Sequence, residues 1–304
     1  MTVHVHVTRA WSCTVRLAVT DARALPPAVA DLEALLDRVD RLASRFRTDS
    51  SLSIANSNAG RPMPIPSMLV GLVAAALAAA AETGGAVDPT VGRAMQRIGY
   101  DRDIAAIAPH GPAITPSPAG RGWTEVRLHR ETGLLTVPLG TALDLGATAK
   151  AYTADYAAQM LHASYGGGVM VELGGDLAIA GRRPTGWPVH VAEREGGAGQ
   201  VVVLAHGGLA TSTTTVRRWR RGGEDVHHII DPRTGRPVDG PWRTASVYAP
   251  TAVAANTASI AALVLGEAGA DWLTQRHLAA RLVGVDGAVH TTSGWPAVVA
   301  TAVA

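Results

Sequence analysis

The 304 residues suffice for one large domain or two modest ones, and 47% hydrophobic against 17% charged residues excludes extensive disorder. A net charge of +2 is too slight a bias for a nucleic-acid or acidic-membrane binder. The single cysteine, Cys13, excludes both an intrachain disulfide and a cysteine-rich zinc site.

Residues 2–7 and 12–20 alternate with period two and read as paired strands. They lack the basic start and continuous apolar core of a signal peptide, so a cytoplasmic location without a membrane anchor is expected. From Pro27 to Phe46 the residues Val29, Leu32, Leu35, Leu36, Val39 and Leu42 recur at three and four, which predicts an amphipathic helix. The polar segment from Arg45 to Asn56 reads as a solvated loop rich in hydrogen-bonding side chains. Ser67 is expected to cap an alanine-rich helix that stops at Gly84-Gly85. Its apolar run, Met68 to Ala81, is shorter than the ~18 residues of a membrane span and reads as a buried helix. Residues 104–122, with Pro109, Pro112, Pro116 and Pro118, read as a connection.

Strand-like runs over 124–129 and 133–137 lead to Leu143-Asp144-Leu145-Gly146-Ala147-Thr148-Ala149-Lys150-Ala151-Tyr152. A carboxylate precedes a turn of small residues and an ammonium sits inside it, at the start of a helical pattern through Leu161. That combination suits a nucleotide phosphate, a bound cation, or both. An ordinary strand, turn and helix with a surface lysine uses the same residues. Gly174-Gly175-Asp176 follows the strand Val169 to Leu173 and suits either close ligand approach or a tight hairpin. Strands are read again over 187–191, 200–204 and the hydroxyl-rich 210–215.

Arg217-Arg218-Trp219-Arg220-Arg221 has the composition of a nucleic-acid stacking segment, but the weak overall charge favours a charged hairpin tip. In His227-His228-Ile229-Ile230-Asp231 the paired histidines invite a metal reading. Adjacent strand residues face opposite ways, so only one of them reaches any given site. A strand over 244–249, helices over 252–266 and 268–277 and two short strands around 284–292 complete the chain. Helices and strands mix without strict alternation, which predicts an α+β fold with largely antiparallel sheet.

Six runs in this order resemble the ApbE family of flavin transferases. They are FRTDSSLSIAN (46–56), AVDPTVG (86–92), LDLGATAKAYTAD (143–155), ELGGD (172–176), ATSTT (210–214) and HHIIDPRTG (227–235). The resemblance implies one ApbE-like domain over 1–304, made of two intertwined lobes of T-fold-like architecture, with FAD in the groove between them. It implies an FAD:protein FMN transferase: FAD is split at its pyrophosphate, FMN passes to a Thr or Ser hydroxyl of a partner protein, and AMP leaves, with magnesium on the phosphates. Carried across by position, Trp11, Phe46, Ala86, Val87, Asp88, Asp144, Lys150 and Ile230 would contact FAD, while Gly174, Gly175, Asp176 and Thr211 shape its pocket. His228 stands where the family is thought to place the base, and Lys150 is positioned to steady the pyrophosphate.

The resemblance departs at the metal. The family has an aspartate and, four residues on, a threonine where this chain has Asn256 and Ile260. The expected ligands here are the carbonyl of Ala147, Asn256 and, with a shifted helix register, Ser259 or Thr257. Asparagine offers an uncharged oxygen and isoleucine none, which weakens a magnesium site. The alternative reading is therefore a diverged flavin-nucleotide-binding protein or repurposed enzyme of the same fold without the usual magnesium site.

Overall fold

A computed structural model describes residues 2–116, 118, 119 and 122–296, so positions 117, 120 and 121 of the expected 104–122 connection lie outside the described residues. In chain order the elements begin with strands β1 (His4–Ala10) and β2 (Cys13–Val19), then helices α1 (Leu25–Ala43) and α2 (Ser51–Ser57). Strand β3 (Met63–Pro64), helices α3 (Ser67–Glu82) and α4 (Gly92–Arg97), strands β4 (Arg127–His129) and β5 (Leu134–Thr136), and helix α5 (Ala149–Tyr165) follow. A run of strands comes next: β6 (Val169–Leu173), β7 (Asp176–Ala180), β8 (Trp187–Ala192), β9 (Gly199–Leu204), β10 (Gly207–Thr213), β11 (Arg218–Arg221), β12 (Glu224–His227), β13 (Ile230–Asp231), β14 (Arg236–Pro237) and β15 (Trp242–Ala249). Helices α6 (Ala252–Leu265) and α7 (Gly269–Gln275) and strands β16 (Ala279–Gly284) and β17 (Val289–Thr291) close the described chain.

The chain forms two compact units. One takes residues 1–34, 150–216 and 240–304, the other residues 35–149 and 217–239.

The first unit is built on an eight-stranded sheet in the order β1-β2-β6-β7-β10-β15-β16-β17. Every neighbouring pair in it is antiparallel. The β8–β9 ribbon alternates buried and exposed residues along β8. Its buried Trp187, Val189, Val191, Val202 and Leu204 cluster with Met170, Leu177, Ile179 and Leu209 of the sheet. Helix α6 packs against β10 and β15, and Gly208 permits the approach: a Cβ there would lie 2.2 Å from the backbone nitrogen of Ala252. The apolar composition of α6 is thus accounted for by burial against the sheet.

The second unit is mainly helical, with the small sheet β3-β5-β4 and the hairpins β11–β12 and β13–β14. Its core around β11 gathers Met95, Ile98, Tyr100, Trp219, Val226 and Ile230.

Four local expectations need correction. The 45–56 segment is not all loop: Ser50 caps α2 by accepting from the Ser53 amide, and Leu52 and Ala55, three apart, are buried. Ser67 is the first helical residue rather than the cap of α3, and Pro66 precedes it without a side-chain cap bond. Residues Gly122–Glu125 form a 3-10 turn, which leaves only Arg127–His129 of the expected 124–129 strand. The helix expected over 268–277 is the shorter α7, with His277 at φ 54 beyond its end.

Candidate functional site

In the first unit the candidates centre on Asp176. Leu173 pairs with Asp176 across a two-residue turn, and both turn residues, Gly174 (φ 59) and Gly175 (φ 97), occupy the left-handed region where glycine is unstrained. The turn delivers the Asp176 carboxylate into the interior, 1% exposed. There it forms an ion pair with Lys150 from the first turn of α5, and its Oδ1 accepts from Asn256 Nδ2 of α6 at 2.7 Å. A carboxylate only accepts, so Asn256 must present its NH2 group, which leaves Asn256 Oδ1 buried without a protein partner. Thr211 donates its amide to the Gly175 carbonyl at 3.1 Å and shares a 2.8 Å hydroxyl bond with Ser246.

Helix α6 is itself pinned by α5. Asp155 accepts from the amides of Ala252 and Val253 at 2.8 and 3.0 Å, filling two of the donors that a helix start leaves open. Burial pushes the Asp155 carboxyl above its ordinary pKa, against the pull of those two amides.

Trp11 and Ser12 form the two-residue loop between β1 and β2, at φ 52 and 57. Non-glycine residues held there cost on the order of 1–3 kcal/mol each, and such strain clusters at functional sites.

The residues available do not suit a resident magnesium ion. Ser259 is fully buried; its hydroxyl bonds Ser212 Oγ at 2.7 Å and donates to the Asn256 carbonyl at 2.9 Å. Ile260 has no donor atom, and Asn256 has one neutral oxygen to spare. Among the described residues no three His, Cys, Asp or Glu side chains converge as metal ligands. A hard dication prefers several charged oxygens. We expect the double variant Asn256→Asp, Ile260→Thr to bind Mn2+ at least about tenfold more tightly than the natural chain by titration calorimetry. Equal affinities would count against placing the metal at 256.

In the second unit the loop 143–148 is held by Asn56 of α2. Its side chain donates to the Leu143 carbonyl at 2.9 Å and accepts from the Leu143 amide at 2.7 Å. Asp144 is buried; its Oδ2 pairs with Arg45 Nε at 2.7 Å and its Oδ1 accepts from the Gly146 amide at 2.7 Å. The same guanidinium lies 4.1 Å from the ring centre of Phe46 and 4.4 Å from that of Tyr100. Phe46, 40% exposed, is the open member of the group. Ala147 is half-buried on this loop.

Asp88 follows Ala86 and Val87, whose amides are tied to the Thr83 carbonyl and hydroxyl respectively. Asp88 Oδ1 accepts from both the amide and the hydroxyl of Thr90, at 2.7 and 2.6 Å. Its Oδ2 is buried with no protein partner. Burial pushes the Asp88 carboxyl above its ordinary pKa, against the Thr90 bonds. An unpartnered oxygen of this kind is a ready acceptor for a ligand N–H or O–H.

The two histidines separate by role. His227 is buried: it accepts the Ile229 amide at Nδ1 and bonds the Val238 carbonyl through Nε2, so the neutral Nε2–H tautomer fits. Burial pulls its pKa down to about 4. The folded value lies below the unfolded one, so the stabilisation is complete above about pH 6.5 and is lost as the pH falls toward 4, a term of roughly 3 kcal/mol. Urea midpoints of the chain and of His227→Gln, compared across that window, are expected to show a shallower decline in the variant. His228 is half-buried and stands edge-on to Tyr100, ring centres 6.4 Å apart. Ile230, expected to line the groove, is 6% exposed within the Tyr100–Trp219 cluster.

The basic run is structural in most of its members. Trp219 is buried and donates its indole N–H to the Ile98 carbonyl at 2.7 Å, so it is not available for stacking on a nucleic acid. Sequence reading passed over Arg45, Tyr100, Thr90 and Asp155. The signal for two of them was present, since Arg45 adjoins Phe46 and Asp155 ends the 143–155 run. A separate cavity of about 530 Å³ in the first unit, lined by Glu193, Arg194, Thr215, Val216 and Arg243 among others, contains none of the candidate residues.

A sequence model of the ApbE family matches residues 1–282. The chain is 30% identical to an FAD:protein FMN transferase of Klebsiella pneumoniae over 247 residues, covering 78% of this chain and 71% of that protein. It is 31% identical to an FAD:protein FMN transferase of Treponema pallidum over 262 residues, covering 79% and 71%. The crystal structure of the ApbE protein of Thermotoga maritima matches with a TM-score of 0.83 at 25% identity, over 96% of this chain and 97% of that one. With sequence and fold agreeing over most of its length, the chain belongs to the ApbE family.

Proposed function

We propose that this chain is an FAD:protein FMN transferase acting on a Thr or Ser hydroxyl of an acceptor protein. The observation that carries this reading is the family match over residues 1–282 together with relatives of that name aligned over 78–79% of the chain. The acceptor oxygen attacks the phosphorus of the FMN half, an O–P bond forms, the pyrophosphate P–O bond breaks, and AMP leaves with the electron pair. His228 takes the hydroxyl proton: it is the half-buried histidine of the pair, while His227 is committed to the backbone at both ring nitrogens. Lys150 makes one ion pair, with Asp176, and an ammonium has three N–H donors, so two remain for phosphate oxygens. Asp88 Oδ2 offers an acceptor to the nucleotide. Charge on the pyrophosphate is then neutralised by side-chain cations, since residues 256–260 do not suit a magnesium ion.

The purified chain incubated with FAD and a small acceptor domain is expected to release AMP and to add the mass of one FMN to the acceptor. The replacements at 256 and 260 favour one second reading, a flavin-nucleotide-binding protein that has lost transfer. FAD that binds but stays intact, with and without magnesium, would put that reading in place of the first.

A further inference from the structure

We propose that Arg217 binds a phosphate of the flavin dinucleotide beside His228, an inference that rests on the transferase reading above. The arginines of the 217–221 run are not equivalent. Arg218 and Arg220 pair with Asp225 across the hairpin, at 3.5 and 3.4 Å. Arg221 is buried and donates to the carbonyls of Ala108, Gly99 and Arg220. Among the described residues the Arg217 side chain alone of the four has no ion pair or hydrogen-bond partner, although it is half-buried. A guanidinium partly withdrawn from water without an ion pair of its own is costly unless an anion completes it.

The hairpin register shows where that charge sits. β11 and β12 pair Arg218 with His227 and Trp219 with Val226, and Arg217 and His228 are the residues immediately outside that terminal pair, each in a bend. Tyr100 stands between the hairpin and His228: its ring is 5.3 Å from Trp219 and 6.4 Å from His228. Burial pushes the Tyr100 phenol above its ordinary pKa; of the charges around it, Arg217 first and then Arg45 pull it back, while the Asp144 and Asp103 carboxylates push the same way as burial. Arg217, Tyr100 and His228 therefore mark one spot in the second unit.

A planar guanidinium binds two phosphate oxygens at once, which fixes orientation as well as charge. Placed at the end of the hairpin where His228 also stands, it holds a phosphate near the residue that takes the acceptor's proton, the positioning on which phosphoryl transfer depends. The run thus divides its labour. Three arginines and a tryptophan build the hairpin, and the fourth arginine faces the ligand.

The test is equilibrium binding of FAD, FMN and riboflavin to the full chain and to Arg217→Gln and Arg217→Lys, followed by flavin fluorescence at two salt concentrations. In the Gln variant, FAD and FMN are expected to bind about 10- to 100-fold more weakly and with a shallower salt dependence, while riboflavin, which has no phosphate, is unchanged and Lys recovers part of the loss. An unaltered melting profile excludes misfolding as the cause. FAD affinity within about twofold of the natural chain, or an equal loss for riboflavin, would overturn the proposal. Failure of the natural chain to bind FAD or FMN at all would overturn the transferase reading instead.

Discussion

Replacing His228 by asparagine is expected to lower the rate of FMN transfer by about a hundredfold to ten-thousandfold while leaving FAD affinity nearly unchanged. The split follows from the role proposed for the imidazole, which acts on the acceptor's proton rather than on the nucleotide. Its neighbour supplies the control. His227→Asn removes both backbone contacts of the buried ring, so it should lower stability first and affect transfer only through loss of folded protein. Single-turnover AMP release and flavin binding, measured on both variants at matched folded fraction, separate the two. Equal transfer by His228→Asn and the natural chain would remove His228 from the mechanism.

Trp187→Ala is expected to have the largest effect on stability, about 3–5 kcal/mol. The side chain is 1% exposed and anchors the β8–β9 ribbon to the sheet of the first unit. Its removal leaves a large void among Val189, Val202, Leu204, Ile179 and Leu209. Val203 lies on the same ribbon but is 42% exposed, and Val203→Ala should cost under about 0.5 kcal/mol. Denaturant midpoints for the two variants measure the contrast. A Trp187→Ala loss as small as that at Val203 would mean that the ribbon is not packed as described.

Much of the fold was legible because its pattern is local. The paired strands at 4–19, the amphipathic α1, the alanine-rich α3 and the apolar α6 all announce themselves by period or composition. Helix α2 did not. Ser51, Ser53, Asn56 and Ser57 are poor helix formers that compete for the backbone, and α2 is held by the burial of Leu52 and Ala55 and by the grip of Asn56 on Leu143, 87 residues away. Ser67 failed as a cap because a hydroxyl one position too late is already helical, and the sequence carries no mark of that one-residue offset.

The candidate site divides in the same way. By itself the sequence determined the family, the two glycines of the 174–175 turn, that at most one of the adjacent His227 and His228 points into any given site, and that position 256 is an asparagine and position 260 an isoleucine. Each is a matter of residue identity and short spacing. Only the tertiary structure decided which charges are already spent. Asp176 meets Lys150 and Asn256 across separations of 26 and 80 residues, Asp144 meets Arg45, and Trp219 turns inward while Arg217 keeps an unpartnered charge. The physical reason is that a carboxylate or guanidinium is defined chemically by its partner, and partners this far apart along the chain meet only when strands and helices have packed.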